Sequence, residues 1–175
     1  MKMEILFWSF LGMALSTPAW ALQVGDAVPN MARPSTGGED IRLSDLAGRW
    51  LVLYFYPRAF TPGCTAQSCS LRDTYGEIQD HGAAILGVSL DSPDRQREFK
   101  AEHHLPFELL SDTDKELARA FDSLMVGGLM AARKTFIIDP DGRVAYRFDR
   151  PDTRNHGEEV VAKLEELLGS ERKNN

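Results

Sequence analysis

Trp50-Leu51-Val52-Leu53-Tyr54-Phe55-Tyr56 is an unbroken apolar and aromatic run, and Pro57 follows it at once. A strand with one wet face alternates polar and apolar residues. A run without alternation suits a strand covered on both faces, as in a parallel sheet packed behind helices. Residues 83–90 form a second such run. A chain that buries two strands this way is constrained to an α/β layer architecture.

The other elements agree. Residues 24–40 are rich in Gly and Pro and read as an extended segment turning at Gly37-Gly38. Residues 41–43 are a short strand candidate, and Ser44-Asp45-Leu46 reads as a turn or a single helical turn. A helix over 62–80 carries Leu71, Tyr75 and Ile78 on one face, with Gly82 as its stop. Ser92-Pro93 opens a polar helix running to about His104. Residues 107–110 form a strand, and 112–121 a short helix with Leu117 and Phe121 inward. Strands 135–138 and 144–148 are joined by Asp139-Pro140-Asp141-Gly142, a strong hairpin turn. Asn155 caps a last helix whose apolar face is Val160, Val161, Leu164, Leu167 and Leu168. The tail after Gly169 is expected to fray. This order predicts one α/β domain with a central mixed sheet flanked by helices, and the thioredoxin-like fold matches it best.

The first residues read differently. Residues 5–15 are apolar, Ser16-Thr17-Pro18 breaks the run, and Ala19-Trp20-Ala21 fits a small-x-small cleavage site. That is the layout of a secretory signal peptide over 1–21, with the mature domain over 22–175. Glu4 offsets Lys2 in the leading segment, so an uncleaved anchor is the alternative. The run is short of the ~20 residues a spanning helix needs, which favours cleavage and no membrane insertion afterwards. Export implies a bacterial periplasm or the extracellular space. With 43% hydrophobic and 26% charged residues, the chain suits one soluble domain with a real core. The net charge of -6, without a Lys/Arg cluster, argues against a nucleic-acid partner.

The chain has two cysteines, Cys64 and Cys69. In an oxidising compartment the plain expectation is a structural disulfide. Position argues otherwise. Cys64 falls where strand 50–56 gives way to the helix at Pro62-Gly63. A thiol reacts as its thiolate, and a pKa near 8.5 falls to roughly 3.5–7.5 at helix N-termini or beside cations. Unpaired N–H groups and the helix dipole act on Cys64 there. Pro62 suits the first turn, and Gly63 permits close backbone approach. The chemistry requires a Cys64 sulfur that is ionised and accessible.

Pro57-x-x-x-Thr61-x-x-Cys64 resembles the peroxiredoxin active-site motif. The longer run Thr61-Pro62-Gly63-Cys64-Thr65-x-x-x-Cys69-x-Leu71-Arg72-Asp73 resembles the subfamily called bacterioferritin comigratory protein, or peroxiredoxin Q. The likeness continues through Arg133-Lys134-Thr135-Phe136 and Asp139-x-Asp141-Gly142. It implies an AhpC/TSA-type domain and a thiol peroxidase for hydrogen peroxide and organic hydroperoxides. It implies Cys64 as peroxidatic nucleophile, Thr61 orienting the peroxide, and Arg133 supplying fixed positive charge. Pro57 would close the pocket. Cys69 would resolve the Cys64 sulfenic acid as an intramolecular disulfide, reduced in turn by a thioredoxin-like protein. The subfamily is often monomeric, with a dimer also compatible. No cofactor is implied.

The implied disulfide has a geometric cost. Residues five apart on an intact helix are separated by about 140° and about 7.5 Å of rise, hence roughly 8.7 Å between Cα atoms. A disulfide tolerates at most ~7 Å. The helix must therefore unwind locally on oxidation, which moderate helix formers at Thr65, Ser68, Cys69 and Ser70 ease.

The plain alternative for Thr61 is a helix cap, which is compatible with peroxide binding, and for Arg133 an ordinary surface arginine. His81, His103, His104 and His156 show no metal-ligand spacing, and no metal is expected. The apolar loop from Leu124 to Met130, around Gly127-Gly128, reads as buried packing, with a docking surface for a partner or reductant as the alternative. Two other functions compete. An exported thioredoxin-like protein disulfide oxidoreductase would normally carry C-x-x-C, which is absent, and a cis-proline where Arg133-Lys134-Thr135 stands. A non-catalytic binding domain with one disulfide is the third.

Overall fold

A computed structural model describes residues 22–174, with side chains described up to residue 170. The leader expectation therefore lies outside the described residues. No helix among the described residues is long and apolar enough to cross a membrane.

The strands are β1 (Ala32–Pro34), β2 (Asp40–Arg42), β3 (Trp50–Phe55), β4 (Ala83–Ser89), β5 (Glu108–Ser111), β6 (Lys134–Ile138) and β7 (Val144–Phe148). The helices are α1 (Pro62–Asp73), α2 (Tyr75–Asp80), α3 (Pro93–Glu102), α4 (Glu116–Ala120) and α5 (His156–Asn174), with a 3-10 turn at Leu43–Leu46. β1 and β2 form a small antiparallel hairpin. The main sheet runs β5-β4-β3-β6-β7. β3 pairs parallel with β4 and antiparallel with β6, and β7 pairs antiparallel with β6. This is the mixed sheet of the thioredoxin-like fold.

The apolar run explains the layering. All six residues of β3 are buried. Trp50, Val52 and Tyr54 alternate onto one face, with Tyr56 beyond the strand, and pack with Leu71, Ile78, Phe99, Val160 and Leu164. Leu51, Leu53 and Phe55 take the other face, with Leu117, Phe121 and Phe136. Two apolar faces need two covering layers, and α1, α2, α3 and α5 supply one while α4 and the 3-10 turn supply the other.

Several expectations are corrected. The helix over 62–80 is two helices, because Thr74 leaves helical geometry (φ -101°, ψ 9°). Its hydroxyl bonds back to the Ser70 carbonyl at 3.1 Å, a contact that competes with the regular ladder. The helix expected over 112–121 is shorter. The Asp112 carboxylate takes the N–H groups of Leu117 and Ala118 at 3.0 and 2.7 Å, and the helix starts only at Glu116. Asn155 precedes the last helix, but its side chain donates to Asp152 at 3.0 Å. The last helix spans His156–Asn174. Ser92 caps α3 as expected, accepting from the Arg95 N–H at 3.4 Å.

Loop 124–130 is the clearest reversal. It folds as a tight turn closed by Met125 N–H to the Met130 carbonyl at 3.0 Å, with Gly127 and Gly128 at positive φ. Leu124 still packs on the core. Met125, Val126, Leu129 and Met130 are exposed, Val126 completely. The chain doubles back on itself, so no second layer faces these side chains.

Candidate active site

β3 ends beneath the site. The 57–61 segment then turns the chain into α1, and it is tied down from α3. Ala59 N–H donates to Asp91 at 2.8 Å, and Arg95 donates to the Ala59 carbonyl at 3.0 Å. Phe60 sits at φ 67°, which costs of order 1–3 kcal/mol for a non-glycine residue. Its ring packs edge-on to Phe99 with Arg95 5.0 Å above it, contacts that hold the strained turn.

Cys64 is the third residue of α1 and is fully buried within the core cluster that includes Tyr54, Tyr56 and Leu71. An accessible sulfur was the expectation, and the structure corrects it: the side chain points into the packed face of the helix. Both cysteines are free thiols. Cys69 is half-buried further along α1.

Arg133 reaches this sulfur from just before β6. Its Nη2 donates to Cys64 Sγ at 3.4 Å, and its Nη1 donates to Gln67 Oε1 at 2.6 Å and to the Gly63 carbonyl at 3.4 Å. Arg133 is thus no plain surface arginine. A Cβ on Gly63 would sit 3.2 Å from Arg133 Nη2, so glycine leaves room for the guanidinium to lie over the sulfur. The close backbone approach that Gly63 permits is used here by an arginine.

Thr61 occupies the cap position of α1 by backbone geometry, and its hydroxyl caps nothing. That hydroxyl donates to the Arg58 carbonyl at 3.0 Å, which directs its proton away and leaves its lone pairs to accept. Pro57 is half-buried and shares a cavity of about 480 Å³ with Met125, Ala132, Arg133, Arg150 and Thr153. Pro57, Cys64 and Arg133 therefore converge at one end of the sheet, with Thr61 at the cap position of the helix that carries Cys64. Cys69 lies on the same helix but outside this cluster.

Three features escaped the sequence reading. Gln67 is fully buried, holds Arg133, and its Nε2 has no hydrogen-bond partner. Its signal was available: a polar residue three after Cys64 shares that helix face. Tyr54 Oη bonds Ser68 Oγ at 3.0 Å beneath the same turns. Burial pushes its phenol above the ordinary tyrosine value, so it stays protonated. His156, fully buried at the start of α5, joins Thr135 Oγ1 at 2.8 Å and Glu159 at 3.0 Å. Burial holds its imidazole below the usual histidine value, partly offset by Glu159.

A thiol at a helix start, covered by a guanidinium on a thioredoxin-like scaffold, defines a thiol-chemistry enzyme. The AhpC/TSA family profile matches residues 24–147. Peroxiredoxin Bcp of Bacillus subtilis is 35% identical over 152 residues, 83% of this chain and 97% of the relative. Peroxiredoxin Bcp of Escherichia coli K12 is 37% identical over 151 residues, with the same coverage. Among solved structures, a cysteine-to-serine variant of Xylella fastidiosa PrxQ aligns with a TM-score of 0.79 at 31% identity, covering 84% of this chain and 98% of that one. Xanthomonas campestris bacterioferritin comigratory protein, studied for alkyl peroxide reduction, aligns at 0.74 and 34% identity, covering 83% and 97%. The chain belongs to the AhpC/TSA family and, within it, to the peroxiredoxins of the bacterioferritin comigratory protein or peroxiredoxin Q type. It is a thiol peroxidase.

Proposed function

We propose that this peroxidase reduces hydrogen peroxide and organic hydroperoxides with Cys64 as nucleophile and Cys69 as resolver. The observation that carries the reading is the Arg133 guanidinium 3.4 Å from the Cys64 sulfur. The substrate enters at the cavity between Pro57 and Arg133, and the Cys64 sulfur, buried beneath Arg133, must be uncovered as it approaches. Thr61 Oγ1, its proton committed to Arg58, accepts the hydroxyl proton of the peroxide and aligns it. The Cys64 thiolate attacks that hydroxyl oxygen. An S–O bond forms, the O–O bond breaks, and the leaving oxygen takes up a proton as water or alcohol. Arg133 stabilises the negative charge passing from sulfur to the leaving oxygen, with Gln67 fixing its orientation. Cys64 is left as a sulfenic acid. Cys69 attacks its sulfur, the S–O bond breaks, and water departs as the disulfide forms. A thioredoxin-like dithiol then reduces the disulfide by exchange, itself becoming oxidised. The structure holds Cys69 on the same helix as Cys64, so this route requires α1 to unwind locally. Arg133-Lys134-Thr135 at the start of β6 stands where a disulfide oxidoreductase would carry its cis-proline, which favours the peroxidase reading.

The experiment is peroxide consumption by reduced protein with dithiothreitol. Wild type turns over and Cys64→Ser does not. Equal consumption by both proteins removes the assignment.

Export is part of the proposal. The apolar run 5–15 and the Ala19-Trp20-Ala21 site support it, and the family match begins only at residue 24. N-terminal sequencing of the native protein is expected to start near Leu22. A native chain starting at Met1 contradicts cleavage.

A further inference from the structure

The back end of α1 is built differently from its front. Gly157, the second residue of α5, donates its N–H to Ser70 Oγ at 2.9 Å. The two backbones are in direct contact. A Cβ on Gly157 would lie 2.3 Å from the Ser70 carbonyl oxygen and 2.2 Å from Thr74 Oγ1, so only glycine fits. The Ser70 carbonyl also accepts from Thr74 N–H at 3.3 Å and from Thr74 Oγ1 at 3.1 Å. α5 in turn is fixed to the sheet, because His156 beside Gly157 bonds Thr135 of β6. A second tie follows at Arg72, whose Nη1 donates to the His103 carbonyl at 2.9 Å. Ser70 is thus fastened to the sheet through α5, and it is the residue directly after Cys69.

We propose that Ser70 and Gly157 are positioning residues for the resolving step: they pin α1 immediately beyond Cys69, so unwinding stops there. This rests on the Cys64–Cys69 disulfide proposed above. Unwinding of 61–69 breaks side-chain contacts to Tyr54 and Arg133, while the turn from Ser70 onward stays on α5. The Cys69 main chain then has one fixed end. The freedom lost when its sulfur meets the Cys64 sulfenic acid is smaller than for a helix loosened throughout. The covalent step itself is unchanged: S–S forms, S–O breaks, and hydroxide leaves with the Cys69 proton as water.

The test uses Ser70→Ala, which deletes the hydroxyl without adding bulk, and Ser70→Thr, which keeps it. Rapid-quench mass spectrometry follows sulfenic acid and disulfide separately after peroxide addition. Ser70→Ala is expected to form sulfenic acid at the wild-type rate, close the disulfide several-fold more slowly, and over-oxidise to sulfinic acid at several-fold lower peroxide. Ser70→Thr is expected to restore closure. Hydrogen exchange of oxidised wild type is expected to accelerate over 61–69 and leave 70–73 as in the reduced protein. In oxidised Ser70→Ala the fast tract extends past residue 73. Unchanged closure in Ser70→Ala overturns the inference. So does parallel slowing of both steps, or a wild-type boundary away from Ser70. Absence of a Cys64–Cys69 disulfide in wild type overturns the resolving mechanism as well, so the two failures are distinguishable.

Discussion

The front and back of α1 hold to the protein by different means. Residues 61–69 meet their surroundings through the buried Cys64 and through polar side-chain contacts: Cys64 and Gln67 to Arg133, Ser68 to Tyr54. Residues 70–73 are held by shape as well as by the Ser70 and Arg72 hydrogen bonds. Leu71 is fully buried, and the Ser70 backbone meets Gly157 with no space for a methyl group. Single hydrogen bonds contribute about 0.5–1.5 kcal/mol net each, and exchange with water on opening recovers part of that. Uncovering a buried leucine costs roughly 1.5–3 kcal/mol with no such replacement. A helix whose two ends differ this way can open at one end while staying folded at the other. On the mechanism proposed above, one element would then be a rigid pocket in the reduced enzyme and a hinge in the oxidised one.

Three variants sharpen or break that contrast. Cys69→Ser leaves both ends intact and removes only the thiol proposed to resolve the sulfenic acid. It is expected to form the Cys64 sulfenic acid normally and to lose all turnover with a thioredoxin-type donor. Full turnover with that donor would show that Cys69 is not the resolver. Gln67→Leu cuts a front-end tie while keeping the volume apolar. Arg133 then loses its 2.6 Å partner. Misplaced catalytic groups cost roughly 10²-fold at the upper end, so a slowing of about 10- to 100-fold in Cys64 oxidation is expected, with closure of the disulfide unaffected. An unchanged oxidation rate would mean that Arg133 is oriented without Gln67.

The smallest effect concerns the back end. His156 is buried and its pKa is lowered, chiefly by burial, from 6.5. The unfolded chain takes up a proton at about 6.5 while the folded chain stays neutral, so the unfolded state binds more protons below that pH. Folding stability attached to His156 is therefore present above pH 6.5 and declines as pH falls towards the lowered folded value. Thermal unfolding between about pH 7 and pH 5 should show this decline in wild type, and a shallower one in His156→Gln. Equal slopes would remove His156 as the group responsible.

Much of the site was legible because its chemistry is local in sequence. Pro57, Thr61 and Cys64 are joined by one strand-to-helix turn, and the apolar run of β3 announces where that turn must lie. Arg133 was reached through the family resemblance, since nothing in its own neighbourhood aims it at a sulfur 69 residues away. What escaped was set by distant partners. The break at Thr74 accompanies close packing by Gly157, which no window around residue 74 contains. The start of α4 is decided by the Asp112 carboxylate rather than by helix propensity. The exposure of Val126 and Leu129 follows from a turn that finds no facing layer, while composition alone suggested burial. The burial of Cys64 arises because the helix face carrying it is also the face packed on Tyr54 and Tyr56. The motif fixes its position on the helix, and tertiary packing fixes its depth.

The central claim is that Arg133, lying over the Cys64 sulfur, makes this thiol the site of peroxide reduction. Single-turnover oxidation of Cys64 by hydrogen peroxide, measured in wild type and Arg133→Met, tests it most directly. Losing one preorganised charge donor should slow the step by about 10²–10³-fold while the protein stays folded. Equal rates in the two proteins, or oxidation appearing first at Cys69, would contradict the account.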